Sequence, residues 1–171
     1  MKSMNLKKSL FAFALTAFVA FSASAQEKAS PARSAEGTAA GSKITINYSS
    51  PAVKGRTIWG DLVPLGQVWR AGADDATTFT TSKDITIQGQ KLPAGTYSFF
   101  IIPGETESTF IFNKVAKQWG AYTYDAKEDA LRVSVPSMQT STMEERLVYE
   151  VKPDGFEVRW EYGKAAAKIG S

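Results

Sequence analysis

The residues best able to do chemistry lie in one short segment, residues 67–78. They are an indole, a guanidinium, two carboxylates and a hydroxyl, at Trp69, Arg70, Asp74, Asp75 and Thr77. A guanidinium is a planar donor that suits carboxylate and phosphate oxygens, and aromatic faces stack on sugar rings. A strand-like pattern follows directly, so the segment is typical of a polar site at the end of a β-scaffold. It is equally typical of a structural loop.

Arg70 has two interpretations. In the first, it pairs with Asp74 or Asp75 and ties the loop to the following strand. In the second, it clamps an anion or a sugar from outside the protein. Partly buried arginines are usually paired within the protein, which favours the internal ion pair.

Tryptophan in loop-like segments also has two interpretations. Trp59, Trp69 and Trp119 occur in such segments, and Tyr122 follows Trp119 closely. Their rings could stack on a ligand, but tryptophan also commonly plugs the end of a sandwich, and we favour plugging. The candidate ligand-binding residues are Arg70, Asp75, Trp69, Thr77, Trp119 and Tyr122.

Missing residue types exclude most catalytic chemistry. The chain has no histidine and no cysteine. The first absence removes Ser-His-Asp catalysis and nearly every zinc, copper or non-haem iron site, and the second removes thiolate chemistry. No glycine-rich phosphate loop occurs. We therefore expect no metal and no cofactor, and we favour a non-catalytic protein.

Carboxylate chemistry stays open as an alternative. Asp74 and Asp75 are adjacent, and neighbours in an extended chain point to opposite faces. A glycosidase-like pair would therefore need one of them together with Asp61, Asp125 or Glu128. No spacing favours such a pair. The acidic clusters also lack the ligand spacing of a calcium-binding loop, so a solvated turn is the better interpretation.

Residues 1–25 are typical of a secretory signal peptide. Lys2 lies in a basic start, the apolar run Leu10–Phe21 follows, and Ala23-Ser24-Ala25 supplies small residues for cleavage after Ala25. The apolar run is shorter than the roughly 20 residues of a membrane span. We therefore expect a periplasmic or extracellular protein without a membrane anchor after cleavage.

The charge of the chain comes from this leader. The full sequence has 20 basic and 17 acidic residues, and the leader contributes three lysines. The mature chain of 146 residues is therefore balanced, with 17 of each sign. It has no basic excess to hold nucleic acid or anionic lipid over a broad face, so we expect no nucleic-acid partner.

Period-two patterns dominate residues 43–171 and predict the fold class. Ile44, Ile46 and Tyr48 share one face of a strand. The turn signal Lys152–Gly155 separates two such runs, which predicts a hairpin. Seven or more short strands with turns between them predict an all-β domain, either an antiparallel β-sandwich (jelly-roll-like) or a barrel.

Two further expectations concern the ends of the mature chain. Residues 26–42 are small and polar, and their composition predicts a flexible lead-in to a single β-domain at residues 43–171. At the other end, alternation predicts that Phe156, Val158, Trp160 and Tyr162 share the core face.

Several motifs together resemble one known family. They are Tyr48–Gly60, Val63–Ala73, Leu92–Ser98, and Asn113-Lys114 with Gln118–Tyr122. The chain is similar to the secreted bacterial family called domain of unknown function 2911, common in Bacteroidota. The resemblance covers nearly the whole mature chain, from about Ser30. It implies an exported, all-β domain and brings no established activity, cofactor or catalytic residue.

The resemblance also bears on two local features. It implies an edge strand near Glu36–Ala39 that turns at Gly41-Ser42, which conflicts with the flexible lead-in inferred from composition. Family members often carry Asn-Glu where this chain has Asp74-Asp75. A role that needs a neutral side chain at position 74 is therefore disfavoured here.

Three functional hypotheses follow from the sequence. The leading one is an exported, non-catalytic β-domain that binds a small polar ligand or glycan near Arg70 and Asp75. The first alternative is a structural or protein-interaction module of the cell envelope, which would expose an apolar face. The second is a carboxylate-dependent hydrolase, which requires two carboxyl groups across an open cleft.

Overall fold

The computed structural model describes residues 28–171, and the expected signal peptide lies outside this range. The described chain forms nine strands and one 3-10 helix, with no α-helix. The strands are β1 (Ala32–Ala39), β2 (Ser42–Ser49), β3 (Thr77–Thr81), β4 (Ile85–Ile87), β5 (Gln90–Leu92), β6 (Gly95–Ile102), β7 (Glu107–Asn113), β8 (Asp129–Lys152) and β9 (Gly155–Gly170). The 3-10 helix is Ala126–Glu128.

All strand pairs are antiparallel and belong to one sheet of order β1-β2-β3-β6-β7-β8-β9-β4-β5. The sheet is not closed into a barrel. The predicted antiparallel all-β class is therefore confirmed, and the barrel alternative does not apply.

The long strand β8 joins the two halves of the sheet. Its first part pairs with β7 up to Pro136, and from Ser137 onward it pairs with β9. The sheet folds back so that β1 lies against the β8–β9 hairpin. A Cβ atom on Gly37 would lie 2.8 Å from Val151 Cγ1, and the Ala40 N–H bonds the Pro153 carbonyl at 3.2 Å. The inner faces of the two halves thus enclose a common core.

Alternating apolar residues fill this core. Ile44 and Ile46 are fully buried, and Trp160 is 1% exposed, as the pattern predicts. Five phenylalanines form an aromatic centre with neighbouring ring centroids 5.0–5.7 Å apart: Phe79, Phe99, Phe110, Phe112 and Phe156. Burial of large aromatic rings is a main stabilising contribution in a domain that has no cysteine to form disulfides.

A second, smaller cluster lies on the outer face of the sheet. Ala76, Phe100 and Ile111 form it, and Ala121 and Tyr124 pack on it from the segment between β7 and β8. Strand β6 is therefore buried on both faces, since Phe99 belongs to the core and Phe100 to this outer cluster. The chain segment that covers the outer cluster carries Trp119 and Tyr122.

Two expectations about strands need correction. The segment predicted from composition to be a flexible lead-in contains β1, which pairs with β2 along its whole length from Ala32 to Ala39. Small residues suit this position because β1 packs closely on β8, as the contact of Gly37 with Val151 shows. The edge strand implied by the family resemblance is present and begins earlier, at Ala32.

The second correction concerns Tyr162. It does not share the core face of Trp160 and is instead 50% exposed. Glu161 adopts a positive φ of 54°, and the pairing of β8 with β9 shifts register at this point. A bulge of this kind reverses the alternation, so that Ala165, Ala167 and Ile169 become the buried residues further along β9.

Candidate functional site

The segment that leads into β3 is fixed to the sheet at Trp69. The backbone of Trp69 exchanges two hydrogen bonds with Ile101, at 2.8 and 2.9 Å. Val68 packs on the outer cluster and Trp69 packs on the core. Because side chains of an extended chain alternate, Arg70 projects on the outer side with Val68, away from Trp69.

The turn after Arg70 is held by two buried hydroxyls. Ala71 has a positive φ of 55°, a strained conformation for a residue with a Cβ atom. Its carbonyl accepts hydrogen bonds from Thr77 Oγ1 at 2.9 Å and from the Tyr149 hydroxyl at 2.6 Å. Burial, with Tyr48 nearby, raises the pKa of Tyr149 well above its usual value, so this hydroxyl stays protonated and donates.

Trp119 and Tyr122 lie on the segment between β7 and β8, which is tied down by the buried amide of Asn113. Asn113 Nδ2 donates to the Asp125 carbonyl at 3.0 Å and to Asp129 Oδ1 at 2.9 Å. Asn113 Oδ1 accepts from the Val115 N–H at 3.1 Å. One fully buried side chain therefore bonds both the start and the end of the segment.

Gln118 provides a second anchor directly before Trp119. It is 6% exposed, and its Nε2 lies 3.0 Å from both Ser98 Oγ and Asn113 Oδ1. These bonds attach the segment to the outer face of β6. A satisfied network of buried polar groups restricts the backbone on either side of it.

The segment between β7 and β8 is fixed at its end by hydrogen bonds among Tyr124, Asp129 and Arg132. The Tyr124 hydroxyl donates to Asp129 Oδ2 at 2.6 Å, and Arg132 Nε donates to the same oxygen at 2.6 Å. Burial raises the pKa of Tyr124 to about 12, and the hydrogen bond to Asp129 adds to this shift. Tyr124 also packs on Phe100 with a ring-centroid distance of 5.0 Å.

The two anchored segments meet beside Arg70. Asp75 and Trp119 form an antiparallel bridge, and the Gly120 N–H bonds the Asp74 carbonyl at 3.2 Å. A Cβ atom on Gly120 would lie 3.1 Å from the Tyr122 ring and 3.6 Å from Arg70 Nη1. The guanidinium and the tyrosine ring therefore flank the same point. Trp119 is 60% exposed and Tyr122 is 82% exposed.

Arg70 has no partner within residues 28–171. Its guanidinium forms no ion pair and donates no side-chain hydrogen bond there, and its Nε is buried without a partner. The ion pair expected with Asp74 or Asp75 is therefore wrong for this part of the chain. The side chains have different neighbours: Arg70 Nη1 lies beside Gly120, whereas Asp75 is exposed and lines a groove with Asn47 and Thr78.

Four of the six candidate residues come together and two do not. Arg70, Asp75, Trp119 and Tyr122 share the outer surface, and we call these four residues the outer site. Trp69 packs inside, stacked on Trp160 at a centroid distance of 5.9 Å and edge-on to Trp59 at 5.7 Å. This is the plugging role that the sequence favours for tryptophan. Thr77 is fully buried, so its hydroxyl serves the turn at Ala71.

A shallow groove of about 690 Å³ runs alongside the outer site. Asp75 lines it together with Asn47, Thr78 and Lys117. Asp75 is the one carboxylate among the residues that line this groove, so the groove does not supply the pair of acids that glycoside hydrolysis requires.

A larger cavity of about 730 Å³ was missed by reasoning from the sequence. It lies where β8 passes from β7 to β9, and Trp59, Glu105, Gln139, Glu161 and Tyr162 are among its lining residues. The bulge at Glu161 brings its rim residues outward, and strict alternation along β9 hides that bulge. The positive φ at a non-glycine residue is visible only in the folded chain.

Within residues 28–171, no three acidic side chains gather in a way that could hold a metal ion. No helix of that same range is long and apolar enough to cross a bilayer.

The fold and the outer site together define an all-β domain with an exposed aromatic and guanidinium surface on anchored loops. Residues 30–169 match the family model described as "Protein of unknown function (DUF2911)", and the chain belongs to this family. The search of curated proteins and the search of solved structures each found no match.

The residue type at position 74 suits its backbone conformation. Asp74 has a positive φ of 57°. Asparagine and aspartate tolerate this left-handed conformation better than other residues with a side chain. Aspartate at position 74 therefore satisfies the backbone requirement of this turn.

Proposed function

We propose that the protein is a non-catalytic binding module for a small anionic polar ligand, with acidic sugars as the ligand class. The observation that carries the proposal is the guanidinium of Arg70, which has no partner among the described residues. A carboxylate on a sugar would accept the paired N–H donors of the guanidinium.

The neighbouring residues suit the rest of an acidic sugar. Trp119 and Tyr122 expose aromatic faces on which a pyranose ring can stack. The exposed carboxylate of Asp75 can accept hydrogen bonds from sugar hydroxyls, beside the groove that it lines. Each group thus has a distinct task, and none requires histidine or a metal.

Anchoring of the two segments favours binding by reducing its entropic cost. Asn113 and Gln118 hold the segment with the exposed rings, and Thr77 and Tyr149 hold the turn after Arg70. Ligand sites gain affinity when their groups are already ordered before binding. The side chains of Trp119 and Tyr122 take no part in these hydrogen bonds, and their exposed rings can contact a ligand.

Calorimetric titration with glucuronate and with glucose tests the proposal. We expect the chain from Gln26 to Ser171 to bind glucuronate more tightly than glucose, since only the acid engages Arg70. Arg70→Met should weaken glucuronate binding about tenfold or more, the scale of a charge-assisted hydrogen bond. Lys83→Met removes an exposed positive charge elsewhere and serves as the control. Equal binding of both sugars, or an unchanged affinity in Arg70→Met, contradicts the proposal.

A protein-interaction surface is the second candidate function. Val115, Trp119 and Tyr122 are 45%, 60% and 82% exposed on one segment, and exposed apolar groups of this size mark interaction sites. Trp119→Ala and Arg70→Met distinguish the two functions. A protein partner held by apolar contact would be lost with Trp119→Ala, would survive Arg70→Met and would resist high salt. A bound acidic sugar depends on Arg70.

We also propose that the protein acts outside the cytoplasm. The support is the leader-like pattern of residues 1–25, with its basic start, apolar run and small residues before Gln26. Cell fractionation and mass spectrometry of the full-length gene product test it. An N-terminus at Gln26 in the periplasmic or extracellular fraction is the expected result, and an unprocessed chain in the cytoplasm contradicts it.

A further inference from the structure

The cavity of about 730 Å³ at the bend of β8 has an apolar interior. Ile101, Val158 and Ala165 line it and are 3%, 4% and 7% exposed. Leu65, Met138 and Tyr162 also line it and are 39%, 40% and 50% exposed, so they form its rim. Its volume falls within the range of roughly 300–1,000 Å³ that is typical of pockets for small ligands.

One wall of the cavity depends on a close contact between Gly163 and Trp59. A Cβ atom on Gly163 would lie 2.4 Å from Trp59 Nε1, so only glycine leaves room for the indole in this position. Trp59 Nε1 donates to the Trp160 carbonyl at 3.1 Å. The indole is therefore fixed by packing and by a hydrogen bond, and the wall exists before any ligand arrives.

The charge of the cavity is negative once internal pairs are considered. Lys164 lines the cavity, but its Nζ lies 2.9 Å from Glu157 Oε2. That pair belongs to a network of three cations and three carboxylates: Lys152, Arg159 and Lys164 with Glu144, Glu150 and Glu157. The network balances itself. Glu105 and Glu161 also line the cavity and form no ion pair within residues 28–171.

We propose that this cavity is a second binding site, for a small organic cation that carries an apolar body. The apolar interior would hold the body of the ligand, and Glu105 and Glu161 would face its ammonium group. The rings of Trp59 and Tyr162 offer aromatic surface that attracts a cation. The site is separate from the outer site, and it does not depend on Arg70.

Three ligands with one apolar body and different charges test this site. They are 2-phenylethylamine, 2-phenylethanol and phenylacetate, which present a cation, a neutral group and an anion. The readout is the NMR resonance of the Trp59 indole N–H during titration of the chain from Gln26 to Ser171. We expect the amine to bind about tenfold more tightly than the alcohol, and the acid to bind most weakly. Equal affinity of amine and alcohol, or no shift with any of the three, overturns the proposal.

Conservative substitutions test whether Glu105 and Glu161 bind the ammonium group. Glu161→Gln and Glu105→Gln should each weaken amine binding about three- to tenfold, the range expected for one charge near a partly screened surface. The double variant should bind amine and alcohol alike. Glu128→Gln, an exposed acid of the 3-10 helix that lines neither cavity, should change nothing. Unchanged amine affinity in the double variant overturns the proposal.

The two sites can be separated in one protein. Arg70→Met should weaken glucuronate binding about tenfold or more and leave the amine titration unchanged. The Glu105 and Glu161 variants should weaken amine binding and leave glucuronate binding unchanged. If the amine does not bind, the proposal of ligand binding at the outer site still stands. Coupled loss of both ligands in Arg70→Met would show that the cavity is not an independent site, and it overturns this inference.

Discussion

Glu157 and Arg70 are both charged side chains with buried atoms, but only Glu157 has oppositely charged partners among the described residues. Glu157 lies near the start of β9, 4% exposed, and contacts Lys152, Arg159 and Lys164. Arg70 has a buried Nε and no contact with an acid among the described residues. Asp74 and Asp75 are close in sequence, yet neither forms the pair.

The difference indicates which charge serves stability and which is available for binding. Burial alone raises the pKa of Glu157, but hydrogen bonds from Lys152 and Lys164 outweigh it and lower that pKa to about 2. The folded chain thus stabilises this carboxylate strongly. Arg70 receives no such compensation, although a buried donor without an acceptor costs about 1–3 kcal/mol. A carboxylate ligand that pairs with the guanidinium would add charge-assisted hydrogen bonds that the described chain does not provide.

Removal of the Glu157 charge should give the largest loss of stability. Glu157→Gln leaves three cations close together without their shared carboxylate, and we expect a loss of about 3–5 kcal/mol in the free energy of unfolding at pH 7. Chemical denaturation measures it. Glu150→Gln is the matched control: its side chain is 49% exposed, so the loss should stay below about 1 kcal/mol. Equal losses in both variants would refute a special role for Glu157.

Acid should weaken the protein through the same carboxylate. The pKa of Glu157 is depressed, from 4.5 for the free side chain to about 2 in the folded protein. Its contribution is therefore complete above pH 4.5 and disappears as the pH falls toward 2, a change of about 3 kcal/mol. Unfolding free energies of the wild type and Glu157→Gln at pH 7, 4.5 and 2.5 measure it. The gap between the two proteins should narrow over the acid range, and a constant gap contradicts the assignment.

Loss of the Gln118 amide should have an intermediate effect. Gln118→Ala removes buried hydrogen bonds to Ser98 and Asn113 and leaves their oxygens with fewer donors, at a cost of about 2 kcal/mol. Hydrogen exchange should show the change first in residues 114–122, while the core strands keep their protection. Thr80→Ala, which removes an exposed hydroxyl pair with Thr96, is the control. Uniform loss of protection would mean that the amide supports the whole sheet.

Sequence patterns predict the fold where burial alternates strictly along a strand. The pattern of Ile44, Ile46 and Tyr48 and the turn before Gly155 agree with β2 and with the β8–β9 hairpin. The prediction fails at Tyr162, because the bulge at Glu161 reverses the alternation and arises from pairing with a distant part of β8. It also fails for β1, whose residues give no periodic apolar signal and whose Gly37 packs closely on Val151.

The sequence predicts which residue types form the outer site, but it does not predict which of them contact each other. The sequence indicates Arg70, Asp75, Trp119 and Tyr122 as polar and aromatic groups in loops. It does not show that Trp119 bridges Asp75, because these residues are far apart in the chain and meet only through the anchors of the second segment. It also does not show that Arg70 lies beside Gly120 and forms no pair with Asp75. The sequence does not predict the cavity at Trp59 either, because its lining residues come from segments that are far apart in the chain.

The smallest effect on stability should come from Arg70, and this is the decisive contrast with Glu157. Arg70→Met keeps a long side chain beside Val68 but removes a buried donor that has no partner in the described chain. We therefore expect stability within about 0.5 kcal/mol of the wild type, or a small gain, because no acid is left unpaired. Thermal and chemical unfolding without ligand measure this. A loss of 2 kcal/mol or more would show that Arg70 has an internal role, and the unpaired guanidinium would then no longer support binding at the outer site.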